Sequence, residues 1–351
     1  MNRFPRIRSL ALALLLGAAG TRSTEACTRI LHIFPEQNLT LTARSMDWYV
    51  RYPTTLWKFP RGMKRSGLSA KNPARWTSRY GSLAVVQTAD GQSATADGLN
   101  EKGLVADLLY LAETKYPRRN PKIPGIASSI FLQYLLDSFA TVAEAVASLE
   151  KGSVQIVPVP IPNSEHLPTM HIALSDATGD SAIIEFLDGK TVIHHDRSYR
   201  VMANSPIFEK QLALSAYWNE IGDTFLPGTR KSPDRFVRAD YYNRKLPRAK
   251  SYEEAIASMM SVIRNVSSPF GAADPQKPNI STTMWRVVHD QSNLRLFYES
   301  TVAPNVVWVN LRAFDFTPGT AVKKLEFRDR TLTGDVTRRF RDSAPLNFAR
   351  P

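Results

Sequence analysis

The sequence groups its β-type and helical stretches into blocks, and this order narrows the fold more than any other feature. Short runs rich in β-branched and aromatic residues, bounded by Gly, Pro, Asn or Asp, predict strands at 28–34, 39–43, 82–88, 93–97 and 103–111. Helical periodicity follows at 127–140 and 142–150, the second with Thr141 as N-cap, Glu144 three residues on and Gly152 as its stop. Strand patterns return at 155–159, 170–175, 181–187 and 190–194, then helices at 207–218, 233–243 and 252–264. Strands close the chain at 282–289, 295–299 and 306–310. A doubly wound parallel sheet would alternate the two types strictly. Blocks suit helices layered on stacked antiparallel sheets, an α+β class. The stretch 51–80, crowded with Arg, Pro, Trp and Lys, predicts an irregular connection. Residues 116–125, with three prolines, predict a surface loop over a pocket, and the chain from Lys323 a polar surface wrap. No repeat or linker divides residues 27–351, which predicts one domain.

Residues 1–26 read as a secretory signal peptide. They start basic (Arg3, Arg6, Arg8), run apolar from Ser9 to Gly20 and end polar on Ala26. The apolar run is too short to span a bilayer, so the expectation is a periplasmic or secreted protein without a stable membrane anchor. The net charge is +13, and losing four Arg and one Glu with the leader leaves +10. That charge suits anionic small molecules. The basic residues are scattered, without a helix-turn-helix or RNP-like motif, which argues against a nucleic-acid partner. A single cysteine excludes an intramolecular disulfide framework, so packing must supply the stability.

That cysteine, Cys27, directly follows the expected cleavage point. Release after Ala26 would put a thiol of pKa about 8.5 beside its own α-amine of about 7.7–8.0, a nucleophile and its base on one residue. A turn at 35–38 folds the two strands of a hairpin together and brings Arg44 and Asp47 toward Cys27, a cation and a carboxylate acceptor. The rival exported reading is a lipid-anchored or binding protein in which Cys27 does no chemistry. Thr24 and Glu25 are poor residues for lipoprotein processing, and a strand pattern instead of a tether follows the cysteine. His32, His166, His171, His194, His195 and His289 show no metal-ligand spacing, and no Gly-x-Ser-x-Gly elbow occurs, so neither metal nor cofactor is expected. Trp48, Tyr49, Trp57, Tyr110 and Trp285 are candidate linings of an acyl pocket.

Four segments in order carry a resemblance. They are Cys27-Thr28-Arg29 with Ala43-Arg44-Ser45-Met46-Asp47-Trp48; Asp97-Gly98-Leu99-Asn100-Glu101-Lys102-Gly103-Leu104 through Tyr110; Val201-Met202-Ala203-Asn204-Ser205-Pro206; and Leu226-Pro227-Gly228 through Arg235-Phe236-Val237-Arg238. The chain resembles the choloylglycine hydrolase and penicillin V acylase family of N-terminal-nucleophile (Ntn) hydrolases. The resemblance implies an αββα sandwich, two stacked mainly antiparallel sheets with helices on both outer faces. It implies Cys27, Arg44, Asp47, Asn204 and Arg235 as the catalytic set, with oxyanion donors from the Asn204 amide and the Tyr110 backbone N–H. The activity implied is cleavage of a linear amide, penicillin V acylase-like, through a thioester. N-acyl homoserine lactone acylase and bile salt hydrolase remain the alternatives. Tyr at position 110 and a short stretch between Asn204 and Arg235 resemble the Gram-negative penicillin V acylases. The short stretch puts the tetramer of the Gram-positive bile-salt enzymes in doubt and leaves homo-oligomerisation open.

Overall fold

The structure, a computed structural model, describes residues 27–160, 167–221, 225–271, 281–303 and 305–351. The signal-peptide reading concerns residues 1–26, which lie outside them.

In chain order the strands are β1 (Thr28–Phe34), β2 (Leu39–Trp48), β3 (Thr54–Phe59), β4 (Lys64–Ser66), β5 (Arg75–Thr77), β6 (Ser82–Ala89), β7 (Gln92–Asn100), β8 (Val105–Tyr110), β9 (Gly125–Ala127) and β10 (Gln155–Val157). Then follow β11 (Met170–Ser175), β12 (Ser181–Leu187), β13 (Lys190–His195), β14 (Val201–Ala203), β15 (Thr282–Asp290), β16 (Arg295–Ser300), β17 (Val306–Asn310), β18 (Lys323–Glu326), β19 (Gly334–Asp335) and β20 (Arg341–Asp342). The helices are α1 (Ser128–Ser138), α2 (Val142–Glu150), α3 (Phe208–Ile221), α4 (Ser232–Lys245) and α5 (Tyr252–Asn265).

Among the described residues sixteen strands form two large sheets, one ordered β14-β1-β2-β15-β16-β17-β19 and the other β13-β12-β11-β8-β7-β6-β3-β18-β20, while β4-β5 and β9-β10 form two-stranded ribbons. Alternation along each strand sorts the side chains into layers. Met46, Leu83, Leu99, Val105, Leu109 and Val287 meet in the core between the sheets. Ala106, Leu132, Leu135, Ile172 and Ile184 pack the second sheet against α1 and α2. Ile30, Leu41, Ala43, Phe236, Met259 and Ile263 pack the first against α4 and α5. The result is helices, sheet, sheet, helices, the αββα arrangement implied by the resemblance.

Thr141 caps α2 by accepting from the Glu144 N–H, as its spacing predicts. Two expectations are corrected. The stretch 51–80 contains β3, which pairs on one side with β6 and on the other with β18, so it is sheet and not an irregular connection. The chain from Lys323 likewise enters the sheet as β18. Its Lys-Lys-Leu-Glu sequence hides a strand because charged residues are tolerated near a sheet edge.

Candidate active site

The β1–β2 hairpin builds the site. Pro35–Gln37 form one 3-10 turn and Asn38 closes it with φ 50°, in the left-handed region that Asn tolerates. This fixes the register Thr28↔Ser45 and Arg29↔Arg44, which sets Cys27 opposite Met46. β2 runs on to Trp48, so Arg44 and Asp47 lie within the strand and not beyond its end. Being three residues apart, they leave opposite faces. Cys27 Sγ is 3.7 Å from Met46 Sδ and accepts from the Asp47 backbone N–H at 3.4 Å.

Arg44 points into the layer between the sheets. Its Nη2 lies 3.9 Å from Cys27 Sγ and 3.2 Å from Met46 Sδ, and also donates to the Leu108 carbonyl. Its Nη1 donates to the Ala96 carbonyl at 2.8 Å, and the guanidinium stacks 4.9 Å from the Trp285 ring centroid. Asp47 takes the other face, where it accepts from Arg235 Nη1 on α4 and from Thr283 Oγ1 on β15. Pro233 in the first turn of α4 starts the helix, and Arg235 is fully buried one turn in. A β-bulge between Thr283 and Trp285 serves both faces at once, pairing Thr283 with Asp47 and Trp285 with Met46.

Asn204 follows β14, whose register Thr28↔Ala203 sets Asn204 beside Cys27. Gln211 of α3, fully buried, holds this turn by accepting from the Ala203 N–H at 2.9 Å and donating to the carbonyls of Ala203, Asn204 and Pro206. The Asn204 backbone is thus tied down. Its side-chain oxygen and nitrogen, both buried, have no protein partner among the described residues. A buried amide left unpaired costs about 1–3 kcal/mol, so a ligand that pairs with it recovers that free energy.

Burial pushes the Cys27 thiol up, Arg44 opposes this and Asp47 adds to it. The sulfur therefore holds its proton at neutral pH.

Cys27 opens into a cavity of about 1170 Å³ lined by Met46, Trp48, Tyr49, Tyr110, Tyr116 and Met170. Tyr110 ends β8 with its ring 5.9 Å from that of Trp48. Tyr116, Pro117 and Arg119 bring the expected loop to the cavity wall. Trp57 is not there, a correction. Along β3, Leu56 takes the inner position and Trp57 the outer, stacking on Phe59 at 5.9 Å and lining a separate cavity of about 770 Å³. Trp285 also lines that second cavity, not the one at Cys27.

Residues 27–323 match the family described as linear amide C–N hydrolases, choloylglycine hydrolase family. The chain belongs to this family. It is 42% identical to a penicillin V acylase of Pectobacterium atrosepticum, over 98% of both chains. A bile salt hydrolase/transferase of Clostridium perfringens is 26% identical over 68% of this chain and 78% of its own. Among solved structures, penicillin V acylase from Agrobacterium tumefaciens superposes with a TM-score of 0.84 at 46% identity, over 93% of this chain and all of that one. A conjugated bile acid hydrolase mutant from Clostridium perfringens, 22% identical with a TM-score of 0.72 over 88% of this chain, shares the fold. The protein is accordingly an enzyme of linear amide hydrolysis with the Ntn-hydrolase fold.

Met46, Thr283 and Gln211 touch the site or its supports without having been singled out in the sequence. Met46 lies inside the Arg-Ser-Met-Asp segment, and strand alternation from Arg44 would have found it. Thr283 and Gln211 carry no sequence signal.

Proposed function

We propose that this enzyme is an exported penicillin V acylase-like amidohydrolase whose nucleophile is an N-terminal Cys27, released by cleavage after Ala26. The single observation that carries this is the arrangement around Cys27. A buried thiol lies 3.9 Å from the Arg44 guanidinium, with the Asp47 carboxylate held at the same strand end by Arg235 and Thr283. Once Cys27 begins the chain, its α-amine takes the thiol proton, and Asp47 accepts a hydrogen bond from that amine and orients it. The sulfur attacks the amide carbonyl, and the tetrahedral oxyanion takes donors from the Asn204 side chain and the Tyr110 backbone N–H. The amine returns the proton to the leaving nitrogen, giving a thioester and free amine. Water, deprotonated by the same amine, then releases the acid and restores the thiol. Arg44 stabilises the thiolate, and Arg235 fixes Asp47. The Trp48–Tyr110 wall receives the acyl half.

Mass spectrometry of the protein from a periplasmic fraction tests this. The expected product begins with a free Cys27 and forms an acyl adduct with phenoxyacetyl amides. A diacylglyceryl adduct, or full activity in an uncleaved precursor, would sink the reading.

A further inference from the structure

Behind the site, five ionisable side chains with no assigned role in the reaction, or with only part of their role assigned, meet between the sheets. Asp97 of β7 and Asp107 of β8 are directly paired across the two strands, and both are fully buried. With His289 of β15 they bring one polar atom each to within 4.8 Å of one another. His289 Nε2 is 2.6 Å from Asp97 Oδ1, Arg44 Nη1 is 3.4 Å from Asp97 Oδ2, and Arg29 Nε is 3.8 Å from Asp107 Oδ2. The two guanidiniums already supply the positive charge that a cation would bring here.

The hydrogen bonds are distributed unevenly. Asp97 has donors on both oxygens, from His289 and Arg44. Asp107, equally buried, has none on either oxygen, because Arg29 spends its two terminal nitrogens on Ser181 Oγ and the carbonyls of Tyr199 and Leu174. An ionised Asp107 would therefore be a buried charge against another carboxylate, without a hydrogen bond and with only the 3.8 Å contact to Arg29 Nε to offset it, which is costly.

We propose that Asp107 carries a proton in the resting enzyme and donates it to Asp97, which stays a single anion and holds Arg44 toward Cys27. Asp97 is then a positioning residue that acts through Arg44, and Asp107 sets the charge of the site. The groups facing Asp107 from neighbouring strands are Arg29 on β1, Arg44 on β2, Asp97 on β7 and His289 on β15, the last with Nε2 against Asp97 and no partner at Nδ1. Burial and the neighbouring Asp97 push Asp107 well up, while His289 and Arg44 overcome burial to keep Asp97 below the usual carboxylate range. Burial brings Arg29 down to about 10, so it is still charged at neutral pH.

Infrared spectroscopy of the native protein tests the proton directly. A protonated-carboxyl band at pH 7 that diminishes in Asp107→Asn is expected. Its absence from the native protein, or an unchanged band in the variant, overturns the proposal. Asp107→Ser, smaller but still a donor, serves the same comparison if the Asn variant does not fold. The second readout is the pH profile of Cys27 alkylation by iodoacetamide. Replacing a neutral Asp107 by Asn leaves the midpoint within about 0.3 unit. Removing an ionised Asp107 would lower it, with alkylation at pH 7 about tenfold faster per unit, and that result also overturns the proposal. The consequence for catalysis rests on Cys27 being the nucleophile, but the infrared band reads Asp107 whether or not that holds.

Discussion

Arg44 and Asp47 leave opposite faces of one strand, with Cys27 between them at the start of its neighbour. Arg44 reaches the sulfur from the layer between the sheets, and Asp47 is gripped from the helix side by Arg235. The cation and the carboxylate are thereby kept apart. Were both on one face, they would neutralise each other.

Arg44→Met should therefore act on the thiol and not on Asp47. Burial already raises the Cys27 thiol, and Arg44 is the largest influence opposing it. Losing a cation at this distance should move the thiol further up, the direction expected on removing a nearby opposite charge. The alkylation midpoint should rise, and kcat at pH 7 should fall about tenfold or more. An unmoved midpoint would show that the guanidinium does not influence the sulfur.

Asn204 and Gln211 should separate contact from support. If the Asn204 amide donates to the oxyanion, Asn204→Ala should lower kcat by about 10²–10³ with little change in KM. Gln211→Met leaves the Asn204 amide in place but frees the 203–206 turn, so a smaller loss is expected, accompanied by faster amide exchange in that turn. Equal losses in kcat without faster exchange would contradict the support role.

Glu185 ties α3 to its sheet. It accepts from the Phe208 N–H at 2.9 Å, with His194 at 3.2 Å and His171 at 3.5 Å. Burial alone would push its carboxyl up, but these partners hold it at about 2 against an ordinary 4.5. The folded value is depressed, so the stabilisation is present above about 4.5 and is lost as pH falls toward 2, worth at most about 3 kcal/mol at neutral pH. Urea unfolding should show Glu185→Gln well below the native protein at pH 7 and closer to it at pH 3. A gap independent of pH would mean that the charge is not what matters.

Much of this was legible in the sequence, for physical reasons. The block order exposed the layers because each block buries one face against the next. Cys27, Arg44, Asp47, Asn204 and Arg235 stood out through short motifs, although nothing local in the chain says that Arg235 is fully buried; it begins a helix, where an arginine is ordinarily solvated. β3 was hidden because its Trp57-Lys58-Phe59 is flanked by Arg and Pro, and Lys58 is buried only by finding Thr320 Oγ1 and the Ala321 carbonyl far along the chain. Trp57 has the residue type of a pocket lining, but its place on β3 puts it on the outer face of the sheet, which residue type does not reveal. Asp107 was the missed signal, a lone acid in the otherwise apolar Val105-Ala106-Asp107-Leu108-Leu109 strand.

The last prediction concerns the acyl half. If the reaction forms a thioester at Cys27, the group that enters the cavity selects the substrate. Its wall near the sulfur is flat and aromatic, with Trp48 and Tyr110 5.9 Å apart and tilted by 57°. Such a pair suits a phenoxy ring or an extended acyl chain, which gain offset contact with both rings. A steroid nucleus is thicker and more rigid than either and gains less face-on contact from this tilted pair. We therefore expect penicillin V to be cleaved with a higher kcat/KM than glycine-conjugated bile salts, by about 10–200-fold, because single apolar contacts are worth about 1–3 kcal/mol. Trp48→Ala should lower kcat/KM for penicillin V and narrow that ratio, while Trp57→Ala, on the far face of its sheet, should leave the ratio alone. Side-by-side kcat/KM values for the native enzyme and both variants decide the matter. Bile salts ranking first, or a Trp57 effect as large as that of Trp48, would overturn the argument from the cavity wall.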